Sequence, residues 1–297
     1  MNKVKTNKIL VPVDFSETSL KALMHAGFIA KLTKGELILL HVQKKKELID
    51  IILPAINQSN ITMVTDFLAK KLDGIAAEVK ETYGITVSSL VTAGNISSEI
   101  VNIADEIKAG MIIMGTRGHD SASEIFLGSN SYRVLTKSSI PVMTVYSETT
   151  KNNYEKILLP IDTSEHTRQK VDSAIYLAGL FGSQLHVIGL IGPSEEAYEY
   201  KMEVILKQIK KLATDKKLSC FTTIERSPSR VASTLNYGKK ISANLTIIMT
   251  DQHTEFPSIV LGTYAHQLIN ESTIPVLCIP PEVHPENLPT DSVGGMW

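Results

Sequence analysis

Apolar residues run through this chain in short continuous blocks, separated by longer stretches where they recur every three or four positions. Continuous blocks predict buried strands, and the three-to-four spacing predicts helices with one face inward. In the first half, KILVPVD (8–14), ELILLHV (36–42), ITVSSLVTAG (85–94), MIIMGT (111–116) and IPVMTVYS (140–147) predict strands. SETSLKALMHAGFIAKLTKG (16–35) predicts a helix with hydroxyl caps at its start and Gly35 as its stop. Further helices are predicted over 61–84, 96–110 and 127–139. Strands alternating with helices imply a parallel sheet covered on both faces. Ligands of such sheets sit beyond the carboxyl ends of the strands, at a switch point. Asp14, Val42, Gly94 and Gly115 all fall at such ends.

The pattern occurs twice. KILVPVDFSE (Lys8 to Glu17) returns as KILLPIDTSE (Lys156 to Glu165), with seven of ten positions identical. SSIPVMTV (Ser138 to Val145) returns in the same order as STIPVLCI (Ser272 to Ile279). The chain therefore reads as two copies of one α/β domain, expected over 1–150 and 151–281. The polar seam YSETTKNNYE (146–155) joins them, and a Pro- and Gly-rich tail over 282–297, ending in Trp297, is expected to lack regular structure. The first copy carries an excursion, KKKELIDIILPAINQSN (44–60), whose counterpart is shorter. The strands 140–147 and 274–281 end each sheet and would leave apolar edges open. Such edges invite pairing, so the two are expected to pair antiparallel and make an internal pseudo-dimer.

Composition narrows the function without naming it. The 297 residues carry 43% hydrophobic and 21% charged side chains and a formal net charge of -1. That balance offers no global field to attract nucleic acid or an anionic membrane. No segment approaches the roughly 18 apolar residues of a membrane span. Two cysteines, Cys220 and Cys278, are too few for a disulfide framework or a closed zinc site. A cytoplasmic protein with no nucleic-acid or membrane partner is expected.

The chemistry concentrates in GTRGHDSASEIFLGS (115–129), between a predicted strand and a predicted helix. Such a loop presents unpaired backbone N–H groups at a helix N-terminus, which favours phosphate. Glycine lets backbone approach a ligand closely. Arg117 adds a cation, and Ser129 and Ser131 add hydroxyls. The spacing Gly115-x2-Gly118-x9-Gly128-Ser129 is neither a Walker motif nor a dinucleotide fingerprint.

In its position after the fourth strand, this spacing resembles the nucleotide-binding motif of the universal stress protein family. The resemblance extends to VPVDFSE, LLHV and SSIPVMTV, covering most of 8–145 and, more loosely, 156–279. It implies two tandem Rossmann-like domains, each a five-stranded mainly parallel sheet with helices on both faces. It also implies an adenine-nucleotide ligand: ATP, with ADP or AMP as alternatives, and Mg²⁺ accompanying the phosphates. Position by position, Pro12, Val13 and Asp14 would line the adenosine site, and Val42 would pack near adenine. Gly115, Arg117, Gly118, Gly128, Ser129 and Asn130 would wrap ribose and phosphates, with Ser131 beside them. Asp14 also fits a second role as cap of the first helix.

The second copy departs from this pattern. Its loop is MTDQHTEFPSIVLGT (249–263). Counted back from Gly262, Met249 stands at the place of Gly115 and Gln252 at that of Gly118; matched on IIM instead, the first glycine is deleted. Asp251 replaces Arg117, and Pro257 removes an N–H. No Ser-His-Asp or Cys-His set and no His-Glu-x-x-His signature accompanies either loop. The expectation is a non-enzymatic, nucleotide-binding stress-response module with one intact copy and a protein partner of unknown kind. A nucleotide-independent scaffold and a slow ATPase are the alternatives. The resemblance implies oligomers, so a homodimer of chains is compatible with it.

Overall fold

Ile9, Leu10 and Val11 are all fully buried, yet successive side chains of a strand point to opposite faces. A strand like this needs cover on both sides, and the fold supplies it with helices. The computed structural model describes residues 4–44, 58–116, 127–149, 153–164, 166–250 and 261–281. In the first copy β1 (Lys8–Pro12), α1 (Glu17–Thr33), β2 (Glu36–Lys44), α2 (Gln58–Tyr83) and β3 (Thr86–Gly94) follow in order. Then come α3 (Ile96–Glu106), β4 (Met111–Gly115), α4 (Ser129–Lys137) and β5 (Val142–Val145). The second copy repeats the series as β6 (Lys156–Ile161), a 3-10 turn (His166–Lys170), α5 (Val171–Phe181) and β7 (Gln184–Ile191). It continues with α6 (Glu199–Asp215), β8 (Cys220–Arg226), α7 (Arg230–Ile241), β9 (Leu245–Met249), α8 (Thr263–Glu271) and β10 (Val276–Ile279).

All ten strands form one sheet, ordered β3-β2-β1-β4-β5-β10-β9-β6-β7-β8. Every pairing is parallel except the central one, where β5 meets β10 antiparallel with Met143 opposite Leu277. The expected internal pseudo-dimer is what the fold shows. On one face a single apolar core runs across both copies, from Ile9, Leu39 and Ile113 through Met143 and Leu277 to Ile157 and Leu185. On the other face Leu10, Ile112 and Val142 pack with Ile248, Val276 and Cys278.

Element ends differ from the sequence expectation by one to four residues, and two of the differences are instructive. Helix α1 stops at Thr33, and it is Lys34 that takes the left-handed conformation, at φ 51°. Gly35 serves a different need: a Cβ there would stand 2.5 Å from the Thr6 carbonyl oxygen. Helix α2 starts at Gln58, three residues before the predicted Ile61, so the end of the 44–60 excursion is helical. The rest of that excursion and the tail 282–297, Trp297 included, lie outside the described residues.

The copies are also joined by side chains. Tyr154, at the start of the second copy, is buried with its hydroxyl 2.6 Å from His25 Nδ1 on α1 of the first. The rings of Phe28 and Phe181 pack on Tyr154 from the two copies, with centroids at 5.9 and 4.6 Å. Burial pushes the His25 imidazole down to about 4. An unfolded histidine titrates near 6.5, so between those values the unfolded chain binds the extra proton. The stabilisation is therefore complete above pH 6.5 and fades as pH falls toward 4. Denaturant unfolding of the chain should weaken by about 2 kcal/mol from pH 7 to pH 5 on account of this group. A His25→Gln variant should lose that part of the slope. An identical pH slope in the variant would show that His25 is not the group responsible.

Candidate functional site

Strand order turns back between β1 and β4: from β1 the sheet grows through β2 to β3, and on the other side from β4 to β5. The cleft beyond their carboxyl ends is the switch point of the first copy. Pro12 closes β1, and the Val13 N–H donates to the Leu40 carbonyl at 2.8 Å, which ties the strand end to β2. Asp14 follows at the mouth. Its Oδ1 accepts the Ser16 N–H at 3.0 Å and the Ser16 hydroxyl at 2.5 Å. Ser16 in turn is the N-cap of α1 and accepts the Ser19 N–H. The cap of α1 is therefore Ser16, and Asp14 orients it. Phe15 between them has φ 64°, and its ring lies 4.8 Å from His41, whose Nδ1 is 2.7 Å from the Val13 carbonyl. Val42 is partly buried on β2 and packs with the Leu10 and Leu40 cluster.

The loop after β4 is closed at its neck by the Gly128 N–H, which donates to the Thr116 carbonyl at 2.8 Å. Gly128 is the N-cap of α4, with no side chain capping the helix. The first-turn N–H groups at Ser129, Asn130 and Ser131 therefore open at the cleft without a side-chain acceptor from the cap. The Ser131 hydroxyl, however, is turned inward: it donates to the Gly115 carbonyl at 3.0 Å and ties α4 to β4. Gly128 has φ −60°, a conformation open to any residue. Gly115 has a packing reason of its own, because a Cβ would stand 3.0 Å from the backbone carbon and Cβ of Thr18. Arg117, Gly118 and His119 lie outside the described residues.

The second copy has the same neck. The Gly262 N–H donates to the Thr250 carbonyl at 3.0 Å, and Thr250 to Gly262 spans as many residues as Thr116 to Gly128. Strand register decides between the two alignments of the loops. Ile9 pairs with Met111 and Ile157 with Leu245, so Met249 occupies the place of Gly115. The helix opposite responds. Where α1 begins directly at Glu17, its counterpart opens with the 3-10 turn at 166–170, which packs on β9, and becomes α-helical only at Val171. Gln252, Asp251 and Pro257 lie outside the described residues.

Charged residues fill the second cleft, and the sequence reading missed them. Lys170 stands at the place of Ala22, and Arg230 opens α7 where Ile96 opens α3. Asp162, the counterpart of Asp14, accepts the Ser164 N–H at 2.8 Å and lies 3.7 Å from Arg230 Nη1. Burial works to raise the Asp162 carboxyl, but its hydrogen bonds to Ser164 and the Lys170 and Arg230 charges hold it below the usual carboxylate range. Lys170 is fully buried, and among the described residues its Nζ has no hydrogen-bond partner. Burial pushes this amine down to about 8, against the pull of Asp162. Aligning the two copies places a lysine on an alanine of the core, which was the available signal.

The family model of the universal stress protein family matches residues 5–146 and again 153–280. This chain belongs to the universal stress protein family. Universal stress protein MJ0577 of Methanocaldococcus jannaschii is 34% identical over 156 residues, covering 48% of this chain and 96% of that protein. Universal stress protein YxiE of Bacillus subtilis is 30% identical over 153 residues, covering 47% and 98%. The crystal structure of a universal stress protein from Archaeoglobus fulgidus superposes with a TM-score of 0.75 over 93% of this chain and 99% of that one. Its identity is 21%, and the likeness is one of fold. Single-domain relatives thus match about half of this universal stress protein, and a structure with the same fold spans both halves. Among the described residues no helix is long and apolar enough to cross a membrane.

The copies touch at the site itself. The Leu127 N–H, at the end of the first loop, donates to Asn270 Oδ1 of α8 at 2.7 Å. Tyr132 of α4 meets His266 of α8 edge to face at 5.6 Å. One substitution tests packing apart from ligand chemistry. Gly115→Met, which installs the residue of the second copy, should destabilise folding by about 1–3 kcal/mol, because α1 has a full α-helical first turn over it. Denaturant unfolding reads this directly, and an unchanged midpoint would remove the packing explanation for Gly115.

Proposed function

We propose that this universal stress protein binds one adenine nucleotide, ATP in the first instance, in the cleft of the first copy. It acts as a cytoplasmic regulatory module of the stress response, and a protein partner reads the nucleotide-bound state. The observation that supports this most is the uncapped N-terminus of α4 beside a glycine-bounded loop at the β1–β4 switch point. In this reading the Asp14 carboxylate faces base or ribose, Val42 borders adenine, and Pro12 and Val13 form the floor. Phosphates lie against Gly115, Arg117, Gly118, Gly128, Ser129 and Asn130, and Mg²⁺ rides on the phosphates. Ser131 supports the site by fixing α4 to β4. Met249 in place of Gly115 and Asp251 in place of Arg117 argue against triphosphate in the second copy.

Gly118→Val and Gly128→Val should each weaken ATP–Mg²⁺ binding at least about a hundredfold in titration calorimetry, with the thermal midpoint preserved. Gly128 is the cleaner test, since its φ of −60° accommodates valine. Wild-type affinity in a folded Gly128→Val chain would place the nucleotide elsewhere. Asn270→Ala should weaken binding about five- to tenfold, the worth of one hydrogen bond holding the loop end. Equal affinity in that variant would show that the second copy does not shape the site.

A further inference from the structure

Arg230 is misplaced by the ordinary rules of helix capping. It is the first residue of α7, directly after the N-cap Ser229, where the helix dipole disfavours a cation. Its guanidinium is held there by acids. Nη2 lies 3.0 Å from both Oε1 and Oε2 of Glu195, and Nη1 lies 3.7 Å from Oδ2 of Asp162. Both carboxylates are pre-set by backbone. Glu195 Oε2 accepts the Gly192 N–H at 2.7 Å within the tight turn after β7, and Asp162 Oδ1 accepts the Ser164 N–H after β6. Gly192 leaves room for this turn, since a Cβ on it would stand 3.3 Å from the Glu195 carboxyl. The Arg230 carbonyl accepts the Thr234 hydroxyl at 2.8 Å. Thr234 in turn pairs at 2.9 Å with Tyr264, the residue at the place of Asn130. The loops after β6 and β7 thus converge on the Arg230 side chain, and α8 is tied to its main chain through Thr234. In the first copy the residue at that place is Ile96, which has no charge to gather them.

We infer that the cleft of the second copy is a guanidinium-binding site whose resident ligand is the chain's own Arg230. The side chain bridges Asp162 and Glu195 across the mouth that a nucleotide occupies in the first copy, and holds the second copy closed without any external ligand. The two terminal nitrogens of a guanidinium suit this arrangement, because Nη2 lies against both oxygens of one carboxylate while Nη1 faces the other. The location rests on the single-nucleotide reading above. The guanidinium chemistry does not, and the test is chosen to keep them apart.

The test uses the full chain with Arg230→Ala and, as a second variant carrying the residue of the first copy, Arg230→Ile. Each should melt a few degrees below wild type, because Glu195 loses its cation and Asp162 is left with Lys170 alone. Methylguanidinium, at about 1–10 mM, should raise the melting point of both variants along a saturating curve. Methylammonium at the same concentration should not, and wild type should not respond to either. Arg230→Lys should stay below wild type and gain little from methylguanidinium, since its ammonium keeps the charge without the fork. Variants that melt like wild type, or that answer methylguanidinium no more than wild type does, would overturn the inference. Nucleotide binding at the first copy enters none of these readings, so failure here leaves the proposed function standing, and failure there leaves this site standing.

Discussion

A strand at the edge of a sheet presents a row of unpaired backbone groups, and an apolar edge strand adds exposed hydrocarbon to them. β5 and β10 are four-residue strands with every residue buried, so neither can serve as an edge. Their antiparallel pairing removes both edges at once and makes ten strands into one sheet. The rest of the molecule is arranged around that seam. The core on one face runs through it, and Tyr146 crosses it to donate to the Ile269 carbonyl at 2.7 Å. Tyr154 inserts between α1 and α5 beside it. A protein made of one such copy would need a second molecule to cover the strand. Here the gene product supplies it in cis, and the second copy is kept for its strand whether or not it keeps a ligand.

That freedom explains why the two clefts differ as they do. In the first copy Gly115 lets the first turn of α1 cross β4 at van der Waals distance. In the second, Met249 occupies that place and the crossing turn is 3-10, with the α-helix starting later. Lys170 in place of Ala22 and Arg230 in place of Ile96 bring cations to positions that are apolar in the first copy, where they face Asp162, the counterpart of Asp14, and Glu195. These changes are coupled, since a buried cation without a carboxylate, or the reverse, costs far more than the pair. The first copy keeps Gly115 at the end of β4, and its loop end is held by Asn270 of the second. The copies are thus complementary in role: one presents the cleft, and the other covers its edge and anchors its loop.

Much of this was legible in the amino-acid pattern. The strands followed from β-branched apolar blocks, and the pseudo-dimer followed from two repeated apolar ends that could not both remain exposed. Local signals misled where tertiary contacts outweighed them. Gly35 looked like a helix stop but answers to the Thr6 carbonyl, while Lys34 takes the left-handed turn. Ser131 looked like a phosphate donor but bonds the Gly115 carbonyl. The Arg230–Glu195–Asp162 cluster was invisible because its members are far apart in sequence and meet only through the sheet order. Its one trace was a charged residue aligned with an apolar one between the copies.

We propose one nucleotide-binding copy and one copy filled by its own Arg230 in a single sheet. Native mass spectrometry of the intact purified chain, with ATP and Mg²⁺ added at saturation, tests it most directly. The account predicts a single added nucleotide per chain, absent in Gly128→Val. Two nucleotides per wild-type chain, or one that persists undiminished in Gly128→Val, would contradict it.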